Sequence, residues 1–172
     1  YAMKKIVHAS GEVMDYRGRT QLKLKQISII EGETDIAPYV RSAPVAKPEL
    51  EATIRSYIDA IRHDGMRQLV QSIVDRNEEA YLTYPAAVRH HHAVYSGLAF
   101  HVMSMLKLAD AMCDLYPQLN RDLLVSGVVL HDLAKVIELS DAITPEYTLE
   151  GKLLGHLSLM ASEIEVVARE LG

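Results

Sequence analysis

The sequence holds a single cysteine, Cys113, in 172 residues. One cysteine excludes an intrachain disulfide framework and any zinc cluster built from several thiolates, so metal chemistry in this chain must use histidine and carboxylate ligands. No apolar run reaches the ~18 residues that a membrane-spanning helix requires, and the N-terminal residues lead into no apolar core of the signal-peptide type. We therefore expect a soluble, cytoplasmic protein with no membrane partner.

The composition is that of an ordinary globular protein rather than a disordered one, with 49% apolar and 24% charged residues. The net charge of −5 is unevenly distributed, because residues 1–30 hold six basic and two acidic side chains. A basic N-terminal segment on an acidic body indicates a surface that meets RNA or DNA, although the same residues would also fit a solvated strand face.

A β-hairpin is predicted at the N-terminus. Two segments rich in β-branched and aliphatic residues, 4–14 and 20–30, flank a turn-forming segment at 15–19. Leu22 and Leu24 alternate with lysines, and Ile27 then breaks the alternation, as a β-bulge or burial on both faces would. Two strands alone are only marginally stable, so we expect these to belong to a larger sheet or to dock on helices.

The rest of the chain is predicted to be helical after a linker at 32–47, which contains prolines and shows no regular period. Pro48 suits a first helical turn, and Asp64-Gly65 is expected to end the first helix. Asn120 is placed as an N-cap. Apolar spacing predicts further helices at about 66–80, 97–116, 120–139 and 149–171. The predicted fold class is mainly α, a helical bundle preceded by a β-hairpin.

An almost entirely apolar stretch, 123–130, runs directly into His131 and Asp132. A helix that is apolar all round is a central one, so it should carry these ionisable groups and Lys135 into the interior. A buried charge must be paired or coordinated to a metal. Two interpretations follow: a buried ion pair between Asp132 and Lys135, or a metal held by His131 and Asp132 with histidines from neighbouring helices.

His101 and His156 are the histidines that neighbouring helices could supply. Each lies about 60° from the centre of an apolar stripe on its own helix, at the edge of the buried face. These stripes comprise Leu98, Val102, Met105, Ala109 and Met112 on the first helix and Leu153, Met160, Ile164 and Val167 on the last.

Imidazoles with a carboxylate and no thiolate suit Mn, Fe, Co, Ni or Zn, as one ion or two. Such an ion lowers the pKa of bound water toward neutrality and neutralises phosphate oxygens. The set therefore fits phosphodiester hydrolysis, with Lys135 steadying a phosphate oxygen or the transition-state charge.

His101 and the sequence His131-Asp132-Leu133-Ala134-Lys135 resemble the HD superfamily of metal-dependent phosphohydrolases. A closer resemblance runs along almost the entire chain and is to the YhaM type of 3′→5′ exoribonuclease, in which an OB-fold nucleic-acid-binding module precedes an HD domain. The motifs that carry it are Arg89–His101, Tyr116–Leu124 and Tyr147–His156. The resemblance implies metal-dependent removal of nucleotides from RNA 3′ ends, and possible action on single-stranded DNA.

The resemblance also implies a domain organisation. Residues 1–31 would be the C-terminal strands of an OB-like module, 32–47 a linker and 48–172 the N-terminal part of an HD domain. Two departures lead us to expect a chain cropped at both ends. An OB barrel needs about five strands, and nothing after His156 matches the His-His pair and closing Asp with which the family completes its metal site. Ala134 stands where the HD pattern commonly has glycine.

The resemblance assigns roles to individual residues. His101, His131, Asp132 and His156 would be metal ligands, with Asp132 and Lys135 catalytic. Weaker candidates are Arg89, His91 and His92 for substrate binding and Arg17, Arg19, Lys23 and Lys25 for the nucleic-acid backbone. Tyr16 is the one aromatic candidate in the hairpin for base stacking.

Several alternatives stay open at this point. One is an HD hydrolase of nucleotides or cyclic nucleotides, and another is a non-catalytic nucleic-acid-binding factor. Inactivity of the 172-residue chain itself is a third, because a site short of its distal ligands would bind metal poorly. Apolar surface left uncovered in 97–171 could lead to a homo-oligomer.

Overall fold

The computed structural model describes residues 6–32, 36–88 and 93–172. Its contacts divide the chain into two compact units, residues 1–40 and 41–172. The predicted fold class is confirmed, since a two-stranded antiparallel hairpin precedes a set of helices. Within the described ranges, no helix combines the length and apolar character needed to cross a membrane.

The hairpin consists of β1 (Val7–Tyr16) and β2 (Arg19–Ile29). Its turn has two residues, Arg17 and Gly18, with φ of 57° and 75°. This is the turn geometry whose twist matches that of paired strands. The Asp15 side chain accepts a hydrogen bond from the Gly18 N–H at 3.0 Å and stabilises the turn. The loop between the strands therefore has two residues, whereas the sequence predicted a turn of five.

A β-bulge accounts for the irregular alternation in β2. Pairing passes from Ser10 with Gln26 to Gly11 with Leu24, so Lys25 is an extra residue. Gly11 permits the close approach, because a Cβ there would lie 2.3 Å from the carbonyl oxygen of Lys23. The extra residue keeps the apolar side chains on one face on both sides of the bulge.

We call this surface the hairpin apolar face. It consists of Val7, Ala9, Val13, Leu22, Leu24, Ile27 and Ile29. Every residue of both strands is exposed. Within the described residues the sheet has two strands, so the expected larger sheet stays a prediction.

The second unit contains seven helices within its described residues. They are α1 (Lys47–Asp59), α2 (Asp64–Arg76), α3 (Glu78–Thr83), α4 (Gly97–Leu115), α5 (Arg121–Leu130), α6 (Lys135–Glu138) and α7 (Leu149–Leu171). Pro48 lies in the first turn of α1, as predicted. The Asn120 side chain caps α5 by accepting a hydrogen bond from the Leu123 N–H at 3.0 Å, which confirms that prediction.

Two predicted boundaries in the first part of this unit are wrong. Asp64-Gly65 begins α2 instead of ending the first helix, because His63 caps α2 by accepting a hydrogen bond from the Met66 N–H at 3.2 Å. The helix predicted at 66–80 breaks at Asn77, whose side-chain amide donates to the Ile73 carbonyl at 2.9 Å. This local bond competes with helix continuation.

The predicted helix 120–139 is also discontinuous. α5 ends at Leu130, and tighter bonds between residues three apart then take over, including Leu133 N–H to Leu130 O at 3.0 Å and Lys135 N–H to Asp132 O at 3.0 Å. The His-Asp pair therefore sits on a turn between α5 and α6. A turn points consecutive side chains differently from a regular helix, which is why projection at 100° per residue does not describe this segment.

The second half of the predicted linker packs on the helical unit. The Tyr95 N–H donates to the Arg41 carbonyl at 3.0 Å, and the Ala43 N–H donates to the Tyr95 carbonyl at 2.9 Å. The boundary between the two compact units accordingly falls between Val40 and Arg41, inside the segment predicted as a linker.

The core lies between α5 and the helices α1, α2 and α4, which all contact it. Fully buried side chains include Leu50, Ile54, Ile58, Val70, Ile73, Leu98, Val102, Leu106, Val125 and Val129. Contrary to the prediction, α5 is not enclosed on every side, because Leu123 is 59% exposed. Two apolar grooves, of about 550 Å³ and 410 Å³, lie beside Leu123 on the exposed side of α5, and His131 lines both grooves.

Each predicted stripe holds one member that the structure leaves exposed. Met160 and Val167 are buried on α7, but Leu153 is 73% exposed. Gly155 interrupts α7 with a φ of 70°, so residues before and after it do not share one helical face. On α4, Leu98, Val102 and Ala109 are buried, whereas Met112, in the last turn, is 39% exposed.

Candidate metal centre

The carboxylate of Asp132 is the centre of a cluster of imidazoles. Asp132 is 6% exposed. Its Oδ2 atom lies 3.4 Å from Nε2 of His131 and 3.6 Å from Nε2 of His101, while Oδ1 lies 3.3 Å from Nε2 of His156. The structure thus brings together all four residues predicted as ligands. Ligand atoms of His101, His131 and Asp132 lie within 4.8 Å of one another, close enough to hold a metal ion.

Three elements supply these side chains. α4 carries His101, the turn after α5 carries His131 and Asp132, and α7 carries His156. The rings of His101 and His131 stand 5.5 Å apart at an angle of 59°. Because the donors come from separate elements, the site exists only in the folded helical unit.

The second nitrogen of two rings faces an oxygen that can only accept a hydrogen bond. Nδ1 of His131 lies 2.9 Å from the Val128 carbonyl oxygen. Nδ1 of His156 lies 3.1 Å from each carboxylate oxygen of Glu138. We assign the ring hydrogen to Nδ1 in both cases. In the neutral rings the Nε2 lone pairs then face the Asp132 carboxylate.

A carboxylate with imidazole nitrogens around it and no thiolate is a donor set that suits a divalent transition metal. Imidazole nitrogens held in one tautomer by acceptors behind them are a common arrangement in metal sites.

A proton competes with a metal for the same atoms. The hydrogen-bonding contact with Asp132 raises the pKa of His131 above its ordinary value, against the opposing effect of burial. Burial would by itself raise the pKa of Asp132, but His131 and Lys135 outweigh it and hold that pKa well below the usual range. Asp132 is therefore an anion throughout the physiological pH range.

Lys135 makes the ion pair that the sequence suggested. Its Nζ donates to Asp132 Oδ2 at 2.9 Å and to the Ala86 carbonyl oxygen at 2.8 Å. The side chain of Lys135 is 17% exposed. The ion pair and the imidazole cluster occur together on one carboxylate, so the two interpretations of Asp132 do not exclude each other.

Other predicted residues lie away from this cluster or outside the description. Arg89, His91 and His92 lie outside the described residues. In the hairpin unit, Arg17 lies over the ring of Tyr16, 5.2 Å from its centroid. Lys25 pairs with Glu12, and all four basic candidates, Arg17, Arg19, Lys23 and Lys25, are exposed. Their roles stay predictions.

Sequence reasoning missed Glu138 and the Val128 carbonyl. Glu138 is a buried acid, 8% exposed. A signal for it existed, since it follows apolar Val136 and Ile137 six positions after Asp132. No feature of the sequence marks the backbone carbonyl of Val128, because every residue has a backbone carbonyl.

Fold and site together describe a helical domain whose centre is a carboxylate surrounded by three imidazoles. No family model matches the chain, and no solved structure matches it. A curated relative does: the chain is 44% identical, over 99% of its length, to the 3′-5′ exoribonuclease YhaM of Listeria innocua. This similarity confirms the predicted YhaM-type resemblance, and the predicted resemblance to the HD superfamily is consistent with it. The chain spans 55% of that relative's length.

Proposed function

We propose that this chain carries the metal-dependent hydrolase site of a 3′→5′ exoribonuclease, which degrades single-stranded RNA from its 3′ end. The observation that carries the proposal is the convergence of three imidazole Nε2 atoms on the buried carboxylate of Asp132. The similarity to a protein named as a 3′-5′ exoribonuclease supplies the substrate class and direction.

In this proposal His101, His131, Asp132 and His156 hold the metal, as one ion or two, chosen from Mn, Fe, Co, Ni and Zn. When bound, such an ion supplies a nucleophilic hydroxide near neutral pH and neutralises phosphate charge. The protein's own contribution is preorganisation: the Val128 carbonyl oxygen lies 2.9 Å from Nδ1 of His131 and orients that ring. Burial keeps the Asp132 carboxylate away from competing water.

Lys135 is proposed to position the scissile phosphate. Its ammonium has three N–H donors, of which Asp132 and the Ala86 carbonyl use two. We propose that the third donates to a phosphate oxygen beside the metal ligands. A cation there would also stabilise the charge that develops on phosphorus oxygens in the transition state.

RNA binding is proposed to extend beyond the helical unit. Residues 48–172 would belong to an HD domain, and residues 1–31 would be strands of an OB-like module. The exposed basic side chains of the hairpin, Arg17, Arg19, Lys23 and Lys25, would follow the phosphate backbone. Arg89, His91 and His92 would contact substrate, and single-stranded DNA is a second candidate substrate.

Asp132→Asn in the full-length protein tests the proposal. The substitution keeps the side-chain volume and removes the charge around which the imidazoles converge. We expect loss of bound metal by elemental analysis and at least ~100-fold slower release of mononucleotides from a 3′-tailed RNA. Circular dichroism should show an unchanged helical content.

Asp122→Asn is the matched control. Asp122 lies on α5 and accepts hydrogen bonds from the backbone N–H groups of Arg62 and His63 at 3.1 Å and 3.0 Å, away from the cluster. An asparagine oxygen can accept the same bonds, so metal content and activity should be unchanged. Wild-type turnover by Asp132→Asn would overturn the proposal. Faster turnover of mononucleotides than of RNA would favour a nucleotide hydrolase, and RNA binding without cleavage would favour a binding factor.

A further inference from the structure

Glu138 is a buried carboxylate whose hydrogen-bonding capacity is directed at one histidine. Both of its carboxylate oxygens lie 3.1 Å from Nδ1 of His156. Oε1 also accepts a hydrogen bond from the backbone N–H of His156 at 3.3 Å. The ring and the backbone of one residue are therefore held by the same carboxylate.

The backbone around Glu138 is built for close contact with α7. Its carbonyl oxygen accepts a hydrogen bond from the Thr148 N–H at 2.9 Å. Gly151 packs directly on it, since a Cβ there would lie 2.4 Å from the Glu138 carbonyl oxygen and 2.9 Å from its Cγ. Any other residue at Gly151 would move α7, and His156 with it, away from Glu138.

A second feature of α7 sets the direction of His156. Gly155 adopts a φ of 70°, in the left-handed region that glycine enters at least cost. This conformation interrupts the helix one residue before His156. The ring orientation thus depends on the local kink and on Glu138 together.

The hydrogen-bond geometry has a chemical consequence for Nε2. A carboxylate can only accept, so the neutral ring hydrogen-bonds to Glu138 only when its hydrogen is on Nδ1. Asp132, the acceptor on the Nε2 side, already accepts a hydrogen bond from Lys135. The lone pair of the neutral ring is then on Nε2, which lies 3.3 Å from Oδ1 of Asp132. In the opposite tautomer, Nε2–H would donate to Asp132, and the nitrogen would not be available as a ligand.

We propose that Glu138 is a positioning residue: it holds His156 in the Nδ1–H tautomer and so presents Nε2 as a metal-ligand atom beside Asp132. The inference rests on the proposed metal site and specifies how one of its ligands is prepared before metal arrives. Glu138 itself touches neither metal nor substrate in this role.

The test uses Glu138→Gln in the full-length protein. Glutamine keeps the volume, but its amide group can donate to Nδ1 as well as accept from it, so both tautomers of His156 become accessible. Nitrogen-15 NMR of the imidazoles in the metal-free protein, recorded at rising pH until the ring signals no longer change, reports the tautomer of the neutral rings directly. We expect the Nδ1–H form in the wild type and a mixture or the opposite form in the variant.

Metal affinity is the second readout. Calorimetric titration with Mn²⁺ should show a 10- to 100-fold weaker affinity in Glu138→Gln, the size of effect typical of residues behind a ligating histidine. Glu165→Gln, at an exposed position on α7, is the matched control and should change neither readout. Glu138→Ala should weaken binding further, and Glu138→Gln keeps the test valid if the alanine variant does not fold.

An unchanged Nδ1–H tautomer in Glu138→Gln would overturn the inference, and so would an altered tautomer with wild-type metal affinity. Failure of the proposed function is distinguishable from these results. If the wild type binds none of Mn²⁺, Fe²⁺, Co²⁺, Ni²⁺ and Zn²⁺, the proposed metal site and the ligand role of His156 are both wrong. The NMR readout still decides whether Glu138 sets the tautomer.

Discussion

The hairpin and the helical unit contain similar aliphatic residues but expose them very differently. Val13 and Leu24 on the hairpin apolar face are 75% and 50% exposed, whereas Leu106 in α4 is fully buried. Cross-strand hydrogen bonds, a two-residue turn and one glycine contact define the hairpin. Burial of apolar side chains stabilises the helical unit. Periodicity thus identifies which face is apolar, but not whether anything covers it.

The largest expected effect compares the same substitution in the two regions. Leu106→Ala removes a fully buried side chain and should lower the free energy of unfolding by about 2–5 kcal/mol. Leu24→Ala removes a half-exposed one and should cost less than about 1 kcal/mol. Equilibrium urea denaturation followed by circular dichroism measures both. Similar costs would show that the hairpin apolar face is covered in solution.

A second pair of variants compares two glycines. Gly11→Ala places a Cβ 2.3 Å from the Lys23 carbonyl oxygen, so the strands must separate at the bulge, at a cost of about 1–3 kcal/mol. Faster amide hydrogen exchange in β1 and β2 would report this separation of the strands. Gly127→Ala on α5 meets nothing within 4 Å and should stabilise that helix by up to about 1 kcal/mol. Unchanged exchange in the hairpin of Gly11→Ala would contradict the close approach at the bulge.

The smallest expected effect concerns a surface network of the helical unit. The Asp110 carboxylate accepts a hydrogen bond from the Tyr57 hydroxyl at 2.6 Å and another from the Arg121 guanidinium at 2.9 Å. The Tyr57 hydrogen bond, assisted by Arg121, holds the pKa of Asp110 below its ordinary value of 3.8. A lowered pKa means that the stabilisation is present above the ordinary value and is lost as the pH falls through the lower, folded-state value.

Asp110→Asn should therefore reduce stability at pH 7 and have a progressively smaller effect below pH 3.8. The side chain of Asp110 is 39% exposed, so solvent screening limits the cost to less than about 1 kcal/mol. Urea midpoints of variant and wild type across this pH range measure it. The hairpin pair of Lys25 and Glu12, each 60% exposed, provides the comparison, and Glu12→Gln should change stability by less than ~0.5 kcal/mol. A cost for Asp110→Asn that persists at low pH would contradict the electrostatic origin.

Much of the fold could be predicted because it depends on local patterns. Asn120 is an N-cap and Pro48 a first-turn residue wherever a helix follows, and two apolar segments around a glycine turn indicate a hairpin. The wrong boundaries lie where a side chain found a local alternative, as Asn77 did with the Ile73 carbonyl. The misjudged stripe on α7 has a different cause, since Gly155 breaks the helical register that projection assumes.

The four candidate ligands were recognisable for a chemical reason. A histidine and an aspartate that end an apolar run carry a burial cost that only a partner can offset. The partners that this histidine and aspartate contact were harder to predict from the sequence. His101 and His156 were identifiable as polar residues at the edge of apolar faces, but Glu138 was not singled out, although it follows the apolar residues Val136 and Ile137.

Local sequence thus accounts for the order and type of the elements and for the kind of chemistry at the site, because short-range sterics, capping and apolar periodicity act within a few residues. Tertiary structure decided the rest. It placed His156 Nε2 3.3 Å from Asp132, directed Nδ1 of two rings at acceptors and left Leu123 and Leu153 exposed. These outcomes depend on how helices distant in sequence pack together, since a ring's tautomer is set by whichever atom lies behind it.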